Sequence, residues 1–211
     1  MFVKCCGFTR VEDIAAAAEL GISAAGLIFD PRSPRFVSPA QARELSGAIA
    51  GSGVLTVGVF VGGTPQQIVE TCEYARINCI QLYDGETARA LSGFRPLIRA
   101  YRIRGVESLS SVSAPGDDGM VLLDAYSASA HGGTGTSFDW ETLKGFVHIK
   151  RTIVAGGVSA ATLPRLLSLV SPLGIDVSSG IEDAPGIKSH GKMKTLLRIV
   201  QEAHHDRIRT A

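Results

Sequence analysis

The chain has 211 residues, 45% of them hydrophobic, with 21 Lys and Arg against 20 Asp and Glu. That length supports one sizeable core, and the near-neutral charge argues against nucleic-acid and anionic-membrane binding. No apolar run reaches the length of a membrane span, and the N-terminus lacks a signal-peptide pattern. Four cysteines without a secretion signal are expected to stay reduced, so we expect a cytoplasmic protein.

Two kinds of segment alternate along the chain. Apolar runs bounded by Gly, Pro or polar residues predict buried parallel strands at residues 2–6, 24–29, 54–60, 78–82, 96–101, 119–124, 151–157 and 174–180. Helical spacing occurs at residues 10–21, 38–49, 64–75, 159–170 and 189–205, and more weakly at 86–93, 105–113 and 139–146. Thr9, Ser38 and Thr64 are predicted as helix N-caps, the last two followed by proline.

The alternation of strands and helices predicts parallel strands with right-handed crossovers. Eight strand–helix units in 211 residues leave about 26 residues each, close to the minimal repeat of a (β/α)8 TIM barrel. A doubly wound open sheet is the alternative. The barrel is favoured because eight units fit and because Gly-rich loops follow the last two strands. No linker divides the chain, so residues 1–211 are predicted to form one α/β domain.

Small residues after the last two predicted strands indicate an anion site. Gly156 and Gly157 follow the seventh strand, and Ser178, Ser179 and Gly180 follow the eighth. Their backbone N–H groups and small hydroxyls suit a phosphate, which TIM barrels commonly bind at this place. Tight turns would explain the same residues. The occurrence of both motifs after the last two strands favours phosphate.

A carboxylate and a thiol stand at two other strand ends. Asp124 follows an apolar run with no helix close behind it, and partial burial would raise its pKa and suit it to donate a proton. Strand alternation places Lys4 and Cys6 on one face and Cys5 on the other. If Cys6 faces the barrel mouth, Lys4 lies one layer below and favours thiolate, while Cys5 packs against the helices. Residue type alone leaves open that both cysteines are core packing.

Other candidates are less specific. Arg35 lies in a Pro-rich loop that can direct its guanidinium at a carboxylate, although a solvated loop arginine is the simpler interpretation. The basic stretch at residues 95–104 is interpreted as an amphipathic strand with solvated arginines, and Cys72 and Cys79 as core residues. No His or Cys spacing of the metal-ligand type accompanies the cysteines at the N-terminus, so no metal site is predicted.

With these residues placed, the chain resembles the phosphoribosylanthranilate isomerase family. The resemblance runs from residue 3 to residue 188 in the motifs VKCCGFT, SPRFVSP, VGVFV, LLDA, GGTGTSFDW, AGGV and DVSSGIEDAPGIK. The most specific are GGTGTSFDW and the last motif. The family usually has Lys-Ile-Cys-Gly near its N-terminus, which aligns Cys6 with the catalytic cysteine and Cys5 with isoleucine.

The resemblance implies an Amadori rearrangement of N-(5-phosphoribosyl)anthranilate in tryptophan biosynthesis. Asp124 would be the general acid that opens the furanose ring, and Cys6 the general base that removes the C2 proton. The implied partner is this small-molecule substrate, with no nucleic acid or membrane, for a monomer or a homodimer. No metal or organic cofactor is expected.

The resemblance also implies binding residues. Arg35 would meet the anthranilate carboxylate, and Asp176 a sugar hydroxyl. Gln81 and Tyr83, at the end of the fourth strand, complete the predicted substrate contacts. The family commonly has Gln-Leu-His-Gly there, whereas this chain has Tyr83-Asp84 in place of His-Gly, which bears on substrate affinity and range. VGGTP also replaces the more usual VN after VGVF.

Two alternatives remain at this stage. A histidine-pathway phosphoribosyl isomerase would be expected to have aspartates at the ends of strands one and five, but Cys6 and Ala100-Tyr101 stand there. A non-catalytic barrel that binds phosphoribosyl ligands is motivated by Tyr83. Such a protein would not need Cys6 and Asp124 together, so the presence of both argues against it.

Overall fold

The computed structural model describes residues 1–113, 119–125 and 139–210, with the backbone alone for residues 106, 125 and 204–210. Eight parallel strands close into a barrel in chain order, so the predicted (β/α)8 fold is confirmed and the open sheet is excluded. The strands are β1 (Phe2–Cys6), β2 (Ala24–Ile28), β3 (Leu55–Phe60), β4 (Cys79–Leu82), β5 (Leu97–Ile103), β6 (Met120–Ala125), β7 (Thr152–Val154) and β8 (Gly174–Val177).

Helices follow the strands and cover the outside of the barrel. They are α1 (Val11–Glu19), α2 (Pro39–Ala48), α3 (Pro65–Ala75), α4 (Gly85–Ala90), α5 (Val106–Leu109), α6 (Leu163–Leu169) and α7 (His190–Thr210). Short 3-10 turns occupy Trp140–Leu143, Ile149–Arg151 and Ser179–Ile181. Within the described residues, the helix predicted at 139–146 is only the first of these turns. None of the helices described is long and apolar enough to cross a membrane.

The predicted helix starts were correct in two cases out of three. Ser38 and Thr64 each close a capping box, in which the cap side chain accepts from a backbone N–H three residues on and Gln41 or Gln67 reaches back. Thr9 is not a cap, because α1 begins one residue later with Arg10 in the cap position. The Thr9 hydroxyl instead donates to the carbonyl of Gly186, at 2.6 Å.

Strand alternation sorts the apolar side chains into two layers. The barrel interior holds Ala24, Val57, Cys79, Ile98, Ala100, Leu122, Ile153 and Ala155. The larger layer between strands and helices includes Cys5 and Cys72, each 1% exposed or less. The prediction that Cys5 faces the helices is therefore confirmed, and the period-2 rule puts Cys6 on the interior face.

A hairpin links the barrel to the C-terminal helix. Its strands are β9 (Glu182–Ala184) and β10 (Ile187–Lys188), paired antiparallel. The backbone N–H of Lys188 donates to Asp13 of α1 at 3.0 Å. Together with the Thr9 contact, this bond holds the hairpin against the segment that follows β1, next to the barrel mouth.

Candidate active site

Lys4 occupies the interior of the barrel below Cys6. It is fully buried, and its ammonium donates to Asp176 Oδ2 at 2.9 Å, across the ladder in which Lys4 and Asp176 are register partners. Burial lowers the pKa of Lys4, but the negative charges of Asp176 and Cys6 outweigh it, so the net shift is upward. Lys4 therefore remains a cation inside the barrel, as an ion pair with Asp176.

The Cys6 thiol lies beside this cation. It is 6% exposed. Burial raises its pKa, and the charge and hydrogen bond of Lys4 oppose that rise without cancelling it. The predicted effect of Lys4 is thus present but smaller than the desolvation of the thiol. Cys6 is a buried thiol whose anion, once formed, has a cation in contact.

Asp124 is the last residue but one of β6 and lies on the interior face. Burial, with the nearby charge of Asp176, raises its pKa to about 6, while Tyr83, Lys4 and Arg102 act in the opposite direction. A carboxyl group with that pKa is present in both protonation states near neutral pH. It therefore suits proton donation, as the sequence predicted.

Gln81 and Tyr83 connect β4 to this carboxyl group. The Tyr83 hydroxyl donates to Asp124 Oδ2 at 3.3 Å, and Gln81 Nε2 donates to the Tyr83 oxygen at 3.4 Å. Asp84 has a separate role, because its carboxylate accepts from the backbone N–H groups of Glu86 and Thr87 and so caps α4. The departure from His-Gly thus places a phenol next to the candidate acid and a cap at the start of a helix.

Arg35 lies in the loop after β2 and is buried. Its Nε and Nη2 donate to both oxygens of Glu182, the shortest contact being 2.6 Å. The stem of Arg35 runs over Gly7, where an added Cβ would come within 2.5 Å of Cδ. Gly7 also has a φ of +82°, which favours glycine. The alternative of a solvated arginine is therefore excluded.

Lys188 ties the hairpin to two strand ends. Its ammonium contacts Glu182 Oε1 at 2.7 Å, the Cys6 carbonyl at 2.5 Å and the Ser178 carbonyl at 3.4 Å. Burial raises the pKa of Glu182, but Arg35 and Lys188 together lower it by more than burial raises it, so the net shift is downward. The triad Arg35–Glu182–Lys188 is a buried network of two cations that share one carboxylate, directly behind the ends of β1 and β8.

The two predicted phosphate loops meet at the mouth. Gly156 and Gly157 have φ values of +79° and +73°. A Cβ on Gly180 would lie 2.1 Å from the Val158 carbonyl oxygen, so only glycine allows this approach of the loops. Ser178 and Ser179 stand at the start of the 3-10 turn, half-buried. The structure thus brings all five predicted phosphate residues together, and phosphate binding itself remains a prediction.

Sequence reasoning missed three residues that line or support the site. Arg102 was included among solvated arginines and its side chain is exposed, but it lies two residues after interior-facing Ala100 and its guanidinium sits 4.8 Å from the Tyr83 ring centroid. Strand parity was the signal that could have found it. Glu182 and Lys188 were quoted only as part of a motif. Glu182 pairs with Lys188 and with Arg35, and the pairing with Arg35, 147 positions away in the chain, has no local signal.

Some expectations fall outside what the structure describes. Most of the motif GGTGTSFDW lies at residues 132–138, which are outside the described residues. Among the residues that are described, no group of three or more His, Cys, Asp or Glu side chains is arranged to hold a metal ion.

The closed barrel, with a thiol and a carboxyl group at the strand ends where such barrels hold their active sites, defines a (β/α)8-barrel enzyme. A family profile described as N-(5'-phosphoribosyl)anthranilate (PRA) isomerase matches residues 3–199. The chain belongs to the PRA isomerase family, and it is an isomerase.

Individual relatives agree with this assignment. The isomerase of Rubrobacter xylanophilus is 39% identical over 191 residues, which cover 89% of this chain and 92% of the relative. A crystal structure of the Thermus thermophilus enzyme has a TM-score of 0.83 at 32% identity, covering 96% and 99% of the two chains. A phosphoribosyl anthranilate isomerase solved in complex with reduced 1-(o-carboxyphenylamino)-1-deoxyribulose 5-phosphate has a TM-score of 0.81 at 28% identity and the same coverage. A Thermotoga maritima structure, with 26% identity and a TM-score of 0.81 over the same shares, is described as monomers of a dimeric enzyme.

Proposed function

We propose that this chain converts N-(5-phosphoribosyl)anthranilate to 1-(2-carboxyphenylamino)-1-deoxyribulose 5-phosphate in tryptophan biosynthesis, with Asp124 as general acid and Cys6 as general base. The observation that carries the proposal is the pairing of a carboxyl group of pKa about 6 with a thiol in contact with a buried ammonium, both on the interior face at the mouth. Family membership supports the reaction, and this pairing supports the roles.

The first step opens the sugar ring. Protonated Asp124 gives its proton to the furanose ring oxygen while the bond between that oxygen and C1 breaks. The lone pair of the anthranilate nitrogen forms the C1–N double bond, and the product is a protonated Schiff base. Asp124 becomes a carboxylate, which the Tyr83 hydroxyl and the nearby charges of Lys4 and Arg102 stabilise.

The second step moves the C2 proton. Cys6, as thiolate, removes it, the electron pair of that bond forms the C1–C2 double bond, and the pair of the C1–N double bond returns to the nitrogen to give a neutral enolamine. The enolamine then tautomerises to the ketone. Lys4 stabilises the thiolate that performs this step, because its ammonium is in contact with Cys6 and keeps its charge. The positive Schiff base also makes the C2 proton more acidic.

Binding of the two substrate ends follows from the surrounding residues. Arg35 uses Nε and Nη2 on Glu182, so Nη1 is the group left for the anthranilate carboxylate. The loops at 156–157 and 178–180 would hold the phosphate at the opposite end of the substrate. Asp176 Oδ1 and Gln81 Oε1 are buried without a hydrogen-bond partner among the described residues, which suits them to accept from sugar hydroxyls.

We further infer a cytoplasmic enzyme that acts as a monomer or homodimer on a small-molecule substrate, without nucleic acid or membrane partners. The near-neutral charge and the expected free thiols support this, as does the dimer described for the Thermotoga maritima relative.

The test is the loss of phosphoribosylanthranilate fluorescence with wild type, Cys6→Ser and Asp124→Asn, and with Cys5→Ser as the matched control. Removing either the acid or the base is expected to lower kcat by roughly 100-fold or more. Cys5→Ser is expected to stay active because Cys5 faces the helices. An inactive wild type would contradict the enzyme function, and an active Cys6→Ser beside an inactive Cys5→Ser would reverse the two cysteine roles.

A further inference from the structure

The hydrogen bonds between β4 and Asp124 have a fixed direction. A phenol carries one proton, and an amide nitrogen such as Gln81 Nε2 only donates. Tyr83 therefore accepts from Gln81 at 3.4 Å and gives its single proton to Asp124 Oδ2 at 3.3 Å. The chain of hydrogen bonds from Gln81 through Tyr83 to Asp124 therefore ends on one defined oxygen of the carboxyl group, Oδ2.

The Tyr83 ring is held in place from two sides. It packs against the apolar side chains of the barrel interior, and the guanidinium of Arg102 lies 4.8 Å from its centroid. Asp84, the next residue, is fixed as the cap of α4. The phenol is thus a donor set in position before any substrate enters.

The other charged groups around Asp124 act differently. Asp176 of β8 and Lys4 of β1 are bonded to each other at 2.9 Å, and Arg102 of β5 lies over the Tyr83 ring. A negative charge on Cys6 of β1 would raise the pKa of the Tyr83 hydroxyl without contacting it by a hydrogen bond among the described residues. Of the side chains described, Tyr83 is the one with a hydrogen bond to the Asp124 carboxyl group.

We propose that Tyr83 is a positioning residue for the acid step: its bond to Oδ2 keeps the transferable proton of Asp124 on Oδ1 and stabilises the carboxylate that remains after transfer. This inference rests on the proposed role of Asp124. It also gives a function to the departure from the usual His, because burial raises the pKa of Tyr83 and keeps its hydroxyl protonated throughout the working pH range. An imidazole at this place would titrate near neutral pH.

The test is the pH profile of kcat and KM for Tyr83→Phe. The matched control is Tyr101→Phe, since the Tyr101 hydroxyl is buried on β5 without a hydrogen-bond partner among the described residues. Loss of the Tyr83 bond is expected to lower kcat about 10-fold with little change in KM. The pH at which kcat responds to the titration of Asp124, near 6 in the wild type, is expected to move upward by roughly half to one unit, because the carboxylate loses a hydrogen-bond donor. Tyr101→Phe is expected to match wild type in both respects.

A second variant, Gln81→Met, keeps the proposal testable if Tyr83→Phe fails to fold. Gln81→Met removes the amide that orients the phenol, and a smaller upward shift of the pH at which Asp124 titrates in the kcat profile is expected. Wild-type kcat and an unmoved Asp124 titration in Tyr83→Phe would overturn the proposal, as would a loss seen only in KM. Asp124→Asn distinguishes failure of this inference from failure of the proposed function. Full activity in that variant would contradict the acid role of Asp124, whatever Tyr83→Phe shows.

Discussion

The two sides of the barrel mouth bury charge in different ways. On the base side, Lys4 pairs with Asp176, and Glu182 pairs with both Arg35 and Lys188, each at 2.9 Å or less. On the acid side, Asp124 has no ion pair within the described part of the chain and receives a hydrogen bond from a neutral phenol.

The difference appears as opposite pKa shifts in two carboxyl groups. Burial raises the pKa of both, but two cations in contact reverse the shift for Glu182, whereas the raised pKa of Asp124 persists at about 6. Partners in direct contact turn a buried carboxyl group into a permanent anion, and their absence turns one into a proton donor. At the barrel mouth, the ion-paired Glu182 stabilises the structure, and Asp124 is suited to donate a proton.

The largest expected effect comes from breaking the base side at Lys4. Lys4→Met leaves Asp176 buried without its counter-ion, and it should lower the free energy of unfolding by about 3–5 kcal/mol and remove the cation that stabilises the Cys6 thiolate. Urea unfolding and kcat check both effects. Lys144→Met, which breaks an exposed pair with Glu141, is the control and should change stability by less than about 1 kcal/mol. Equal losses in the two variants would show that the Lys4 pair is no stronger than a surface pair.

A somewhat smaller loss is expected when Glu182 becomes neutral. Glu182→Gln leaves Arg35 and Lys188 as neighbouring buried cations, and we expect a loss of about 2–4 kcal/mol with a raised KM. The pKa of Glu182 is lowered in the fold, so its contribution is present at neutral pH and is lost as pH falls through the folded-state pKa. Unfolding measured from neutral to acidic pH should therefore bring variant and wild type together. Asp183→Asn, in the same hairpin but exposed, should track wild type at every pH.

The smallest effect has the opposite sign and lies on the acid side. The pKa of Asp124 is raised from 3.8 to about 6 in the fold, so ionising it above that pH destabilises the native state. Asp124→Asn removes the ionisation, and it should be more stable than wild type by about 1–3 kcal/mol at about pH 8 and equally stable at about pH 4. Thermal or urea unfolding at the two pH values checks this. A variant less stable than wild type at the higher pH would mean that the carboxylate is compensated after all.

Much of the barrel could be predicted, because each strand and helix is encoded locally. The capping boxes at Ser38 and Thr64 each lie within four consecutive residues, and the predicted strand limits agree with β1 to β6 to within two residues. The failures have a local cause as well. Thr9 has the right side chain for a cap, but a stronger contact with Gly186 removes it from that role. Arg102 is exposed, as its charge suggested, but its contact with the Tyr83 ring was missed because strand parity was not applied to it.

The sequence by itself determined which residues stand at the strand ends and which way each one faces. Two-residue alternation is a property of the extended backbone, so Cys5 and Cys6 had to face opposite layers whatever surrounded them. Only the tertiary structure decided what those side chains meet. Lys4 pairs with Asp176 across 172 positions of the chain, and Arg35 with Glu182 across 147. Asp124 accepts from Tyr83 across 41 positions. Charge state depends on burial and on the nearest opposite charge, and both are set by chain closure rather than by neighbouring residues.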